Sequence, residues 1–223
     1  MLKALFLDAE GTFILFNPSL GEIYKNFWRF RGIEIDPEET SKEIRYNFKR
    51  IFKEELKPPL NGELCKKGWK EVFKRVFKRF EKLEVFEEVF REVYQFFGSP
   101  ECVKVVPGFL EFLEKVKERG IKVAVVSNWD CRLYSVLEGH NLLSYFDGVF
   151  LGCEVGYLKP YPEIFLKALQ FFNLKPNEVL MIGDTLEDDI KTPSELGMLT
   201  YHIQGIPDYH RIWDFLENHF KDD

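Results

Sequence analysis

Short apolar runs bounded by polar turns recur along most of this chain. Five such runs occur, at residues 2–7, 121–126, 148–151, 179–182 and 199–203. Runs of four to six apolar residues that end at turn residues are typical of strands buried in a parallel sheet. The pattern therefore predicts at least five strands.

Amphipathic helical patterns lie between several of these runs. Pro107 suits a first helical turn, and apolar residues at helical spacing follow it as far as the terminating Gly120. Pro162 opens a second pattern, whose apolar face reaches Phe172. Alternation of buried strands with amphipathic helices predicts an α/β fold with a Rossmann-like, doubly wound parallel sheet.

The stretch 17–97 has a different pattern, without strand runs and with Phe-rich stripes at helical spacing. One stripe runs from Val72 to Phe80 and predicts one helix face, and another runs from Phe86 to Phe97. Because this period matches a buried helix face, we expect these side chains to pack helix against helix. The predicted organisation is an α/β core of residues 1–16 and 98–223, interrupted by an all-helical segment of residues 17–97.

Composition narrows the classes of partner and the compartment. The net charge is -6, from 37 acidic and 31 basic residues, so the basic footprint that nucleic acids require is missing. The first apolar run is too short for a signal peptide or a membrane span, so we expect a cytoplasmic protein with no membrane partner. The sequence leaves open whether the protein is a monomer or a dimer.

The cysteines show no metal-ligand spacing and are expected to be unpaired thiols in a reducing compartment: Cys65, Cys102, Cys131 and Cys153.

Chemically versatile residues follow four of the predicted strands. Asp8 opens the turn Asp-Ala-Glu-Gly-Thr, Ser127 and Asn128 follow the second long run, and Lys159 stands in a Gly-Tyr-Leu-Lys-Pro loop. The last long run is followed by an acidic turn with Asp184, Glu187, Asp188 and Asp189. Parallel α/β sheets bind ligands at the carboxyl ends of their strands, so we expect these groups to lie close together.

These residue types suit an anionic substrate and a divalent cation. A hydroxyl and an amide at Ser127 and Asn128 can donate to phosphate oxygens, and Lys159 can act as a point charge. Clustered carboxylates repel one another unless a cation neutralises them, and oxygen ligands suit Mg²⁺. Taken singly, each feature is also typical of a turn, a helix cap or a solvated surface. It is their combination and order that predicts a site.

The four motifs in this order resemble those of the haloacid dehalogenase-like hydrolases. The first motif of that family, Asp-x-Asp-Gly-Thr, compares with Asp8-Ala9-Glu10-Gly11-Thr12 here. The Ser/Thr motif falls on Ser127, the Gly-x-x-Lys-Pro motif on Lys159, and the Gly-Asp-x-x-x-x-Asp motif on Asp184 and Asp189. The helical stretch resembles the helical cap of one branch, so the resemblance covers essentially the whole chain.

The resemblance implies a mechanism and a set of site residues. Asp8 would attack phosphorus and form an aspartyl-phosphate intermediate. Mg²⁺ would be held by Asp8, Asp184 and the backbone carbonyl of Glu10, with Asp189 orienting Lys159 or the waters of the metal. The implied catalytic residues are Asp8, Glu10, Ser127 and Lys159; the implied metal site is Asp8, Glu10, Asp184 and Asp189; and the implied phosphate site is Ser127, Asn128 and Lys159. Which of Asp188 and Asp189 serves the metal site stays open.

Position 10 departs from the pattern, since phosphatases of this family have Asp there as general acid and base. Glu10 keeps a carboxylate with nearly the same intrinsic pKa, but a misplacement of about 1 Å can cost roughly 10²-fold in rate. Three hypotheses follow: a Mg²⁺-dependent phosphatase of a small phosphorylated metabolite, a 2-haloacid dehalogenase-like hydrolase, and a catalytically weak phosphate-binding protein. Dehalogenases of the family carry Tyr at this position and need no metal, so the acidic turn favours the phosphatase.

Overall fold

A five-stranded parallel sheet lies at the centre of the computed structural model, which describes residues 1–220. Residues 221–223, the end of the predicted core segment, lie outside the described residues. The strands are Ala4–Leu7 (β1), Ile14–Phe16 (β2), Val103–Val105 (β3), Lys122–Ser127 (β4), Gly148–Leu151 (β5), Val179–Gly183 (β6) and Leu199–His202 (β7). The main sheet has the order β5-β4-β1-β6-β7 with parallel pairing throughout, which confirms the predicted α/β fold.

Helices cover both faces of this sheet and form the insertion. The α-helices are Leu20–Arg29 (α1), Pro37–Phe48 (α2), Gly62–Val76 (α3), Phe86–Phe96 (α4), Phe109–Glu118 (α5), Arg132–Gly139 (α6), Gly152–Val155 (α7), Pro162–Phe172 (α8), Thr192–Glu195 (α9) and Tyr209–Phe220 (α10). Two π-helices span Lys49–Glu55 and Leu186–Lys191, and short 3₁₀ helices span Lys78–Phe80, Pro100–Cys102, Leu143–Tyr145 and Pro176–Glu178.

The alternating side chains of β1 separate two buried clusters. Leu5 and Leu7 belong to the cluster that contains Phe109 of α5, while Phe6 belongs to the cluster that contains Phe165 of α8. Because successive residues of a strand point to opposite faces, one short apolar strand serves both helix layers. β1 pairs with β4 on one side and β6 on the other, so the residues that follow these three strands meet at one edge.

The inserted segment is helical, and its Phe-rich stripes pack as predicted. Trp28 of α1 is fully buried against Phe73 of α3 and Phe86 of α4, at ring-centroid distances of 5.9 and 6.2 Å. One expectation is wrong: the stripe that ends at Phe80 is not one helix, because α3 ends at Val76 and Phe80 lies in a separate 3₁₀ turn. The limits 17–97 stay a prediction.

A small antiparallel pair connects the sheet to this insertion. β2 and β3 pair through Ile14 and Val105, and they enter and leave the helical segment. The sequence pattern does not reveal them, because three residues are too few to show alternation.

The expectation of four unpaired cysteines is wrong for two of them. Cys65 of α3 and Cys153 of α7 form a disulfide across a sequence separation of 88 residues, whereas Cys102 and Cys131 are free thiols. The bond joins the helical insertion to the sheet-containing part, which spacing along the chain does not show. It removes the cysteine-based argument for a reducing compartment, so a cytoplasmic location stays a prediction. Within residues 1–220, the helices are too short or too polar to cross a bilayer.

Candidate active site

A buried lysine joins the first and last motifs. The Lys159 ammonium lies 2.7 Å from Oδ1 of Asp8 and 2.5 Å from Oδ1 of Asp189, although Asp8 follows β1 and Asp189 lies in the π-helix after β6. Burial disfavours the charged ammonium, but the two carboxylates outweigh burial and raise the pKa of Lys159. The side chain is 2% exposed, so this charge is held away from solvent between two acids.

Asn128 holds the loop that carries this lysine. Its Oδ1 accepts a hydrogen bond from the Lys159 backbone N–H at 2.6 Å, and its Nδ2 donates to the Lys159 carbonyl at 3.0 Å. Nδ2 also lies 3.3 Å from Asp188. Asn128 follows Ser127, the buried last residue of β4. In this arrangement the amide positions the lysine loop, while the Ser127 hydroxyl accepts a hydrogen bond from the Trp129 N–H at 3.3 Å.

Three carboxylates converge beside the lysine. One oxygen each from Asp8, Asp184 and Asp189 lies within 4.8 Å of the other two. Burial, and then the negative charge of Asp8, raises the pKa of Asp184. Burial also raises the pKa of Asp189, against the opposing effect of Lys159. Oxygen donors that repel one another in this way fit a hard divalent cation such as Mg²⁺.

Two motif glycines leave the space that these carboxylates occupy. Gly11 has a φ of +85°, which L side chains rarely adopt, and a Cβ there would collide with the carboxylate of Asp184. A Cβ at Gly183 would collide with the carboxylate of Asp189. Gly11 is thus required by the close approach of the first and last motif loops, and Gly183 by the return of the last motif loop onto its own strand end.

Glu10 lies at the boundary between this cluster and the helical insertion. Its Oε2 is 3.8 Å from the Arg45 guanidinium of α2. Burial raises the pKa of Glu10 to about 7, with Arg45 opposing the rise and Asp184 and Asp8 adding to it. A carboxyl group with a pKa near neutrality can both donate and accept a proton, which a general acid and base must do.

The two neighbouring aspartates of the last motif face different partners. Asp189 lies in the acidic cluster, and its Oδ2 also accepts a hydrogen bond from the Thr185 N–H at 2.9 Å. Asp188 points the other way, with both carboxylate oxygens 2.6 Å from the ammonium of Lys53.

A cavity of about 330 Å³ connects these motif residues to the insertion. Arg45 and Lys53 line it, and so does Arg132, which forms a buried ion pair with Asp130. Sequence motifs do not reveal these basic residues. The one available signal is the four-residue spacing of Arg45, Lys49 and Lys53, which places three cations on one helix face.

His202 is a further neighbour of the site that no motif indicates. Its Nε2 lies 3.0 Å from the backbone carbonyl of Asp184, and β7 brings it opposite Gly183 in the sheet. The pairing of two strands, which only the fold establishes, creates this contact.

Known proteins are similar in sequence to this chain, one of them over most of its length and another over less than half of it. A human protein called haloacid dehalogenase-like hydrolase domain-containing protein 3 is 26% identical over 207 residues, which cover 92% of this chain and 82% of that protein. A glyceraldehyde 3-phosphate phosphatase of Pyrococcus furiosus is 32% identical over 99 residues, which cover 44% of this chain and 41% of that protein.

Solved structures share the fold. The putative hydrolase YfnB of Bacillus subtilis, bound to magnesium in its crystal, is 14% identical with a TM-score of 0.79 and covers 97% of this chain and 99% of its own. An L-2-haloacid dehalogenase is 21% identical with a TM-score of 0.73 and covers 94% of this chain and 87% of its own. The family model for haloacid dehalogenase-like hydrolases matches residues 2–197. With that match across four of the five strands of the main sheet, the insertion and all four motif loops, this chain belongs to the haloacid dehalogenase-like hydrolases and is an enzyme.

Proposed function

We propose that this hydrolase is a Mg²⁺-dependent phosphatase of a small phosphorylated metabolite, with Asp8 as its nucleophile. The observation that carries the proposal is the buried Lys159 ammonium held between Asp8 and Asp189, with the Asp184 carboxylate beside them. This arrangement puts one fixed positive charge and a carboxylate suited to a divalent cation, that of Asp184, next to a candidate nucleophile. Phosphoryl transfer needs such charges where negative charge accumulates.

The chain provides donors for the phosphate oxygens. The Ser127 hydroxyl, at the end of β4, and the Lys159 ammonium both line the cavity that Asp8 lines. We assign them to the phosphoryl oxygens, where the lysine offsets repulsion between the nucleophile and an anionic substrate. Asn128 keeps the lysine loop in place, and its own N–H groups contribute to phosphate binding only if its present bonds rearrange.

The acidic cluster divides into metal ligands and a positioning residue. We assign Asp8, Asp184 and the backbone carbonyl of Glu10 to Mg²⁺. Asp189 already accepts hydrogen bonds from Lys159 and the Thr185 N–H, so we give it the role of orienting the lysine. Bound Mg²⁺ would neutralise charge on the carboxylates and on the phosphate.

The residues then perform two displacements. A carboxylate oxygen of Asp8 attacks phosphorus, the ester P–O bond breaks, and protonated Glu10 gives its proton to the leaving oxygen. The Glu10 carboxylate next takes a proton from a water molecule that attacks the aspartyl phosphate. The bond between phosphorus and the Asp8 carboxylate oxygen then breaks, which releases inorganic phosphate and restores free Asp8 and protonated Glu10.

Relatives and neighbours support the phosphatase more than the dehalogenase. The similarity to a named phosphatase is at 32% identity, although it spans under half of either protein. Dehalogenases occur among the structural neighbours at 21% identity, and such a likeness shows the fold alone. The Glu10 carboxylate and the cation-binding cluster suit phosphoryl transfer, and we propose the cytoplasm as the location of the enzyme.

The test is turnover of acetyl phosphate and p-nitrophenyl phosphate with Mg²⁺ and with EDTA, by the wild type and by Asp8→Asn. We expect metal-dependent release of phosphate that Asp8→Asn abolishes, and an acid-stable, hydroxylamine-labile phosphoryl group on the quenched wild type. Asp36→Asn, at the exposed helix cap of α2, is the matched control and should keep full activity. Halide release from 2-haloacids in EDTA would favour the dehalogenase, and phosphate binding without turnover would favour the binding protein.

A further inference from the structure

The cavity beyond the motif residues has an aromatic wall. Phe48 of α2 stacks on Trp69 of α3 at 5.2 Å between ring centroids, and Phe16 of β2 lies 5.8 Å from Trp129. All four side chains line the cavity, together with Tyr94 of α4. These rings are half-buried, so they keep surface that can contact a ligand.

Two cations of this wall, Arg132 and Lys53, are already neutralised, whereas Arg45 and Lys49 line the cavity near its exposed side. The Arg132 guanidinium makes two hydrogen bonds of 2.8 Å to the Asp130 carboxylate and lies 3.8 Å over the Tyr94 ring. Lys53 is likewise paired with Asp188. Neither cation is open to a second anionic group of a substrate without breaking an ion pair, which leaves an uncompensated charge.

A polar alcohol would be a poor occupant of this wall. Each buried hydroxyl without a partner costs roughly 1–3 kcal/mol, and a sugar or triose carries several. An apolar group gains from burial and from ring stacking. A cavity of about 150 Å³ can hold benzene, so 330 Å³ has room for a phosphate and one or two rings.

We infer that the substrates are phosphate monoesters of apolar alcohols, above all alcohols with an aromatic ring, whose organic part packs between the Phe48–Trp69 and Phe16–Trp129 ring pairs. The inference rests on the proposed phosphatase function for the position of the phosphate. Trp69 is then a specificity-determining residue, because it belongs to the insertion and brings a large aromatic ring to the cavity that the motif residues line.

The experiment compares alkyl esters, so that the leaving groups are of similar reactivity. We expect kcat/KM for benzyl phosphate to exceed that for glycerol phosphate by about tenfold or more, the effect of burying one aromatic ring. Trp69→Ala should lower kcat/KM for benzyl phosphate by about tenfold and leave that for acetyl phosphate within about twofold. Trp69→Phe should restore most of the loss, and Phe171→Ala, an exposed ring outside the cavity, should change neither. Equal or better hydrolysis of glycerol phosphate by the wild type would overturn the inference.

A binding measurement separates this inference from the phosphatase proposal. Calorimetry with the wild type compares benzylphosphonate with methylphosphonate, neither of which is hydrolysed, and needs no variant to fold. We expect benzylphosphonate to bind about tenfold more tightly with a negative heat-capacity change. If no phosphate ester is turned over but this preference holds, the phosphatase proposal fails and the aromatic site stands. Equal binding of the two phosphonates would overturn the aromatic site, whatever the turnover.

Discussion

The ammonium of Lys53 lies 2.6 Å from both carboxylate oxygens of Asp188, although 135 residues separate the two in sequence. One residue belongs to the π-helix Lys49–Glu55 of the insertion and the other to the π-helix after β6. The pair therefore bridges the insertion and the motif loops beside the acidic cluster. Both side chains are largely buried, so the ion pair is screened less than a surface pair.

Loss of this ion pair should impair catalysis by loosening the insertion above the site. We expect Lys53→Met to lower kcat/KM by about tenfold, since an unpaired, mostly buried carboxylate costs on the order of 1–3 kcal/mol. The measurement is phosphate release at low substrate concentration. Lys57→Met, at an exposed lysine two residues after the π-helix, is the matched control and should keep full activity. Unchanged kcat/KM in Lys53→Met would show that the bridge has no part in catalysis.

Removal of Mg²⁺ and removal of one metal-binding carboxylate should both lower kcat and abolish the stabilisation of the folded state by the metal. We expect Mg²⁺ to raise the melting temperature of the wild type, because a ligand that binds only the folded state stabilises it. Asp184→Asn should lose this rise and lower kcat by about 10²-fold or more. Asp188 lies outside the cluster, so Asp188→Asn should keep the rise in melting temperature caused by Mg²⁺. Thermal unfolding with and without Mg²⁺ checks both variants, and a full response in Asp184→Asn would contradict the assignment.

Glu10 should act through its proton rather than through its charge. We expect Glu10→Gln to lower kcat by about 10²-fold or more on alkyl phosphates, which need a protonated leaving oxygen. The loss should be smaller on p-nitrophenyl phosphate, whose leaving group departs without a proton. Glu10→Asp should stay within about tenfold of the wild type, since it keeps the carboxyl group. Collapse of Glu10→Asp to background would show that the longer side chain, near Arg45, is specifically required.

The disulfide between the insertion and the sheet-containing part should stabilise the fold. Loop-closure entropy for a separation of 88 residues corresponds to roughly 4–5 kcal/mol as an upper value, so we expect Cys65→Ser to lower the free energy of unfolding by about 2–4 kcal/mol. Denaturant unfolding measures the change, and Cys131→Ser, an exposed free thiol, is the matched control. Thiol titration of the denatured, unreduced wild type should find only Cys102 and Cys131, and four reactive thiols would contradict the bond.

The Asp147 carboxylate should make the free energy of unfolding vary with pH in the acid range. Burial alone would raise its pKa, but hydrogen bonds from Lys117, the Val123 N–H and Lys122 outweigh burial and lower the pKa of Asp147. A carboxyl group whose pKa is lowered by folding stabilises the folded state fully at pH values above its ordinary pKa. This stabilisation is lost as the pH falls through the lowered pKa. We expect Asp147→Asn to cost about 1–2 kcal/mol near neutral pH and progressively less as the pH falls below the ordinary carboxyl pKa, as measured by denaturant unfolding across the acid range. A cost that does not change with pH would contradict the charge-based role.

The order of elements and the motif loops were predictable because their signals are local. Apolar runs ending at Asp8 and before Asp184 show buried strands followed by turns, and parallel pairing then brings those turns to one edge. Helical spacing of the aromatic residues likewise showed that the insertion packs helix against helix. These patterns depend on neighbours within a few residues, which the chain displays directly.

Tertiary structure alone decided which side chains meet. The bonds of Lys53 to Asp188 and of Cys65 to Cys153, and the stacking of Phe48 on Trp69, join residues that no spacing rule relates. Such contacts depend on how the insertion folds back over the sheet. The sequence determined the chemistry available at the strand ends, whereas the folded chain decided which aspartate faces the cluster and which side chains line the cavity, because distance in space is independent of distance along the chain.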